Sequence, residues 1–235
     1  MASNLVKKIK MNKPELPVYN VSFIGERDRR KFINRVEKIV RGSMEYKDYI
    51  KYLKEFIELN SCLFLKKVTN TNTNGKTTHV SIEIHHEPLT LYDIVEIILT
   101  KHEDSGIPIN DLLIADEVMK AHYENMIGLV PLSKTVHEII HNSDKLFIPL
   151  HMVYGEVSKF LESYDQWISD EIYEKIEKKS EKSRSMTSDQ FDAMTQELKI
   201  LDIKGYDEIE KLDIQNDEEK EAITNEYLLN NTSAA

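Results

Sequence analysis

The spacing of apolar residues changes period along the chain. From Glu26 to Val40, Phe32, Ile33, Val36, Ile39 and Val40 recur at three- and four-residue intervals, with Arg27, Arg29, Arg30, Lys31, Arg35 and Lys38 elsewhere. The spacing predicts an amphipathic helix with a basic face, after an extended start at Pro14 and Pro17. Past Gly42 the pattern repeats through Tyr46, Tyr49, Ile50, Leu53, Phe56 and Ile57, predicting a second helix over Met44–Leu59. From Cys62 the pattern turns strand-like. Cys62–Val68 is β-rich, Thr69–Gly75 is a polar turn, and Val80, Ile82 and Ile84 alternate with Ser81 and Glu83. A hairpin is expected, its second strand ending in His85–His86 and stopped by Pro88.

Helical spacing returns over Thr90–Thr100 and Asp111–Asn125, with a turn at Gly106 and Pro108 between them. Gly128-Leu-Val-Pro-Leu132 predicts a short strand, and Ser133 is placed to cap a helix bearing His137 and His141. Lys145–Leu150 reads as extended and Tyr154–Tyr164 as helical. Beyond Trp167 the apolar residues thin out and charges alternate. Ser180–Ser188 reads as a linker, and Asp189–Leu201 and Ile214–Leu229 as modest helices in a solvated or partly disordered acidic tail.

Composition narrows the chemistry. With 235 residues, 40% of them hydrophobic, the chain can bury one core and carry an appendage. Cys62 is the single cysteine, so an internal disulfide and a four-cysteine zinc knuckle are excluded, and any metal site must be built from histidines and carboxylates. No apolar run approaches the roughly 18 residues that cross a bilayer. Met1–Lys13 lacks the apolar centre of a secretory signal, so no membrane partner and a reducing, intracellular setting are expected. The net charge is −10, but it is unevenly spread: +6 over residues 1–60, −7 over 61–165 and −9 over 166–235. Only the first segment suits phosphate, which makes Arg29, Arg30 and Arg35 candidate nucleic-acid contacts.

The histidines carry the sharpest signal. His85–His86 closes a strand, and His137 and His141 stand one helical turn apart on a shared face, where both can reach one metal. Together with Leu-Val-Pro-Leu they make a strand–strand–helix finger. The stretches Ile84-His85-His86-Glu87-Pro88 and Gly128-Leu-Val-Pro-Leu-Ser-Lys-Thr-Val-His137-Glu-Ile-Ile-His141 resemble the HNH, or ββα-metal, endonucleases, and the longer phrases resemble phage-encoded HNH-like proteins. That resemblance implies His85, His137 and His141 as ligands of one divalent ion (magnesium, manganese, nickel or zinc) and His86 as the general base. The activity it implies is phosphodiester hydrolysis of DNA in the infected cytoplasm. The chain departs from the family where the motif asparagine is replaced by Gly128, which leaves the loop to be pinned otherwise, with Asn125 a candidate.

Two other readings use the same residues. His137-Glu138-Ile139-Ile140-His141 fits H-E-x-x-H, a zinc-protease signature with Glu138 as base and Glu162 as a third ligand. Alternatively, the finger is catalytically degenerate and serves as a binding module. The expected fold is α+β, in three parts: a basic helical module over 1–60, a ββα-metal core with a helical insertion over 61–165, and an acidic tail over 166–235.

Overall fold

Helix α1 (Glu26–Gly42) buries Phe32, Ile33, Val36 and Val40 along one stripe. The computed structural model to which it belongs describes residues 20–66, 68–69, 72–73, 76–77, 81–142 and 146–200. Helix α2 (Met44–Glu55) starts where the Ser43 hydroxyl accepts a hydrogen bond from the Tyr46 amide, and it buries Tyr46, Tyr49 and Leu53. Strands β1 (Asn72–Thr73) and β2 (Lys76–Thr77) form a short antiparallel ladder. Strand β3 (Ile82–His86) then leads into α3 (Leu91–Ser105), which opens on a reciprocal capping box between Thr90 and Asp93 and closes on Gly106 in the left-handed region. Helix α4 (Asp111–Tyr123) follows, with the Asn110 side chain accepting from the Leu112 and Leu113 amides.

The expected hairpin partner differs. Strand β3 pairs with β4 (Leu129–Ser133), antiparallel, in a register running from Ile82 opposite Ser133 to His86 opposite Leu129. Residues 62–65 form no named strand; Cys62, Phe64 and Leu65 are buried in the smaller core without pairing along a strand. That segment instead donates its Leu63 amide to the Pro131 carbonyl.

The β3–β4 pair is a partition. On one face, Ile84 and Leu129 join a core built from α1 to α4 and from α6 (Val157–Tyr164), with Ile94, Ile98, Ile114, Val118 and Phe160 at its centre. On the other, Val130 and Leu132 join a smaller core with Val136 of α5 (Lys134–Asn142), Ile148, Phe64 and Leu65. The class is therefore α+β, rich in helix, with small two-stranded sheets.

The three expected parts do not stand apart. Helices α1 and α2 share their core with α3 and α4. Beyond Trp167 the chain is helical, as α7 (Asp170–Ser185) and α8 (Ser188–Ile200), and both are docked. Ile172 enters the larger core, while Phe191 and Leu198 enter the smaller one, where Phe191 stacks on Phe64 at 5.2 Å. Few apolar residues suffice because each is placed at the interface. The expected helix over Ile214–Leu229, His79 and the proline-containing start lie outside the described residues. A chain ending at Ser169 should lose the burial of Ile172, Phe191 and Leu198, on the order of 1.5–3 kcal/mol each. Its thermal unfolding followed by circular dichroism should show a lowered, broadened transition, and an unchanged midpoint would mean that the helices contribute no packing energy.

Candidate metal centre

Alternation along β3 decides which residues meet α5. Glu83 and His85 face that helix, whereas Ile84 and His86 face the larger core. His137 and His141 sit one turn apart on α5 and turn toward His85: ring centroids are 5.0 Å apart for His85–His137, 5.1 Å for His85–His141 and 4.6 Å for His137–His141. One nitrogen from each ring lies within 4.8 Å of the other two, and Nε2 of His137 is 3.0 Å from Nε2 of His141. Nitrogens bound to one zinc ion at ~2.0–2.1 Å stand about 3.3 Å apart when tetrahedral, so the α5 pair is already near ligating distance.

Carboxylates stand behind two of the rings. Nδ1–H of His137 donates to Oε2 of Glu83 at 2.6 Å, which leaves Nε2 as the free lone pair. Nε2 of His85 lies 3.5 Å from Oε2 of Glu87, whose other oxygen accepts from Lys179 Nζ of α7 at 2.6 Å. Burial pushes the Glu87 carboxyl up, but His85 and Lys179 outweigh it and hold it below the usual carboxylate range. Burial, then the neighbouring His137, pushes the His141 imidazole down and favours its neutral, ligating form. An all-imidazole donor set backed by carboxylates suits zinc and its late first-row neighbours better than magnesium, which prefers oxygen. Glu83 and Glu87 were missed in the sequence, although each lies two residues from His85 and so shares its strand face.

His86 is not placed to act as a base. It is buried, and its Nε2 is 3.1 Å from Nε2 of His122 in α4, whose Nδ1–H donates to the Val118 carbonyl at 2.8 Å. Its ring stacks on Tyr46, and the edges of Tyr46 and Tyr49 close on His122. The other expected roles also shift. Arg29 is engaged with Glu96 at 2.6 Å, Thr100 at 2.7 Å and Glu103 at 3.3 Å, all on α3, and Arg35 pairs with Asp111 of α4 at 2.8 Å. Arg30 is exposed beside Glu26. Arg29 and Arg35 thus brace α1 on α3 and α4. Glu138 is exposed on α5, and His85, not Glu162, completes the triad, which removes the zinc-protease geometry.

Gly128 is required where it stands. A Cβ there would lie 1.9 Å from the Glu87 carbonyl oxygen and 2.7–2.8 Å from Val157 and Val153 side-chain atoms, so this position cannot hold the motif asparagine. Asn125 does not replace it: its buried Oδ1 has no hydrogen-bond partner. Gly128→Ala should therefore destabilise the fold by more than about 2 kcal/mol in urea unfolding, and a shift under ~0.5 kcal/mol would contradict the close approach.

The His86–His122 pair predicts a pH dependence. Burial holds the His122 imidazole down at about 4 and His86 well below its ordinary value, so both are neutral in the folded protein. In the unfolded chain they titrate near ~6.5. Unfolding then takes up protons as pH falls below ~6.5, and stability present at pH 7 is lost down to about 4, with His122 contributing on the order of 3 kcal/mol. Urea midpoints between pH 7 and 4.5, measured with a chelator present, should fall steadily; a flat profile would refute the buried neutral pair.

No curated protein and no solved structure matches the chain. The family model for Bacteriophage G278-like virion proteins matches residues 2–232. A virion-protein family points to a structural role, and this overturns the expected DNA endonuclease and, with it, the catalytic role given to His86 and the hydrolase reading of the histidines. Across nearly its whole length, the chain belongs to the Bacteriophage G278-like virion protein family.

Proposed function

We propose that the protein is a structural component of the phage particle in which one late first-row divalent cation, zinc in the first instance, staples α5 onto β3. The family match supports the structural role. The observation that carries the staple is the convergence of His85, His137 and His141 with Glu83 bonded behind His137. On this reading β3, β4 and α5 form a ββα finger kept for its cation. The physical need for a staple is local. Helix α5 spans nine residues and fully buries only Val136, with Ile139 and Ile140 partly buried against the smaller core, so a helix too short to be stable alone is held by one face. A cation bound only in the folded state adds stability by mass action, about 2.7 kcal/mol at a hundredfold excess over Kd.

Zinc titration of the chelator-stripped full chain should give one site per chain and raise the thermal midpoint, and His137→Ala should remove both effects. Magnesium should do neither at equal concentration. Peptides of the chain should also be found by mass spectrometry in purified particles. Failure of the stripped chain to bind zinc sinks the staple, and absence from purified particles sinks the structural role.

A further inference from the structure

Helix α7 reaches the back of the histidine cluster. Its Lys179 ammonium donates to Oε1 of Glu87 at 2.6 Å and to the Pro88 carbonyl at 3.1 Å, while Oε2 of the same carboxylate faces His85. Glu87 is buried, so its two oxygens have no bulk water to turn toward. One oxygen is committed to the helix and the other to the histidine. The carboxylate therefore takes the orientation that serves His85 only while Lys179 holds its other end. Other anchors of α7 are away from the triad: Ile172 and Ile176 pack on the larger core, Lys175 pairs with Asp93 at 2.5 Å, Ser183 Oγ accepts the Leu150 amide at 2.8 Å, and the Lys182 ammonium lies over the Phe147 ring at 4.6 Å.

We propose that α7 is a clasp coupled to the cation site through Lys179, Glu87 and His85, so that docking of this helix strengthens cation binding and the cation in turn tightens the helix. The inference rests on the staple reading above. Lys179 and Glu87 are positioning residues, because neither is among the three residues whose nitrogens converge. Outer carboxylates that orient a ligating histidine typically change metal affinity 10–100-fold when removed. Coupling between sites is reciprocal, so what Lys179 gives the cation, the cation must return to α7. Lys179 also brings a positive charge toward a cation site, a repulsive effect that works against the clasp; with the Glu87 carboxylate between the two charges, orientation outweighs repulsion. For a virion protein, such a clasp makes the seating of a C-terminal helix depend on the cation.

The test uses the full chain, zinc, and a competing chromophoric chelator. Glu87→Gln should weaken zinc binding about tenfold or more, Lys179→Met should weaken it by a smaller but measurable factor, and the double variant should be no worse than Glu87→Gln alone, since Lys179 acts through that carboxylate. The unsubstituted protein supplies a second measurement that does not depend on variants folding: amide hydrogen exchange across 170–185 should slow when zinc is added. If the chain binds no zinc, the staple itself fails and the clasp goes with it. If zinc binds but exchange in α7 is unchanged, or Lys179→Met binds zinc as well as or better than the unsubstituted chain, the clasp is overturned and the staple stands.

Discussion

The pairing of β3 with β4 is the constraint on which the rest of the molecule depends. Two strands alone are marginal in water, and these two are joined only through α3, α4 and their turns. The ladder persists because both of its faces are covered, by the helical core on one side and by α5, Phe64 and Leu65 on the other. Its end is closed by the Gly128 backbone against Glu87, whose amide donates to the Gly128 carbonyl at 3.0 Å. Any side chain at residue 128 would push the strands apart where the two histidines leave β3.

That ladder gives neighbouring histidines opposite environments. His85 meets two imidazoles and a carboxylate, groups that together suit a cation. His86 enters an aromatic box with His122, Tyr46 and Tyr49, where a charged imidazole would be costly and the neutral tautomers satisfy one another. A general base needs access to water and substrate. The adjacency of His85 and His86 specifies that they diverge; it does not specify what covers each face, and here the face of His86 is sealed by α2 and α4. The three converging histidines thus form an arrangement that could hold an ion, without the exposed base that a hydrolase would use.

Much of the helical layer was legible in the sequence because its signals are local. The spacing of Phe32, Ile33, Val36 and Val40, and the cap expected at Ser133, whose hydroxyl accepts from the Val136 amide, act within one or two turns. Convergence of His85 with His137 and His141 was legible for a similar reason, as strand end and helix face are both short-range patterns. Glu83 and Glu87 were equally open to the two-residue period. The stretch after Cys62 misled because high β propensity does not distinguish a strand from a loop buried on several sides at once. The tail misled because average hydropathy ignores placement: Ile172, Phe191 and Leu198 are sparse, yet each meets a core. Lys179 had no local signal, since its partner lies far back along the chain.

Segmental charge invites a similar misreading, and the ion pairs correct it. The excess of cations near the N-terminus is met by the anionic segment that follows: Arg29 lies between Glu96 and Glu103, and Arg35 meets Asp111. Lysines of the acidic C-terminal part reach back in turn, Lys175 to Asp93 and Lys179 to Glu87. The half-exposed Arg35–Asp111 pair is worth little singly, about 0–1 kcal/mol. Arg29 is different, being largely buried among two carboxylates and a hydroxyl, so its removal would strand partly buried anions as well as lose contacts. A local imbalance of charge therefore measures the need for a counter-charge without saying where it lies, and for Arg29, Arg35, Lys175 and Lys179 it lies in the same chain.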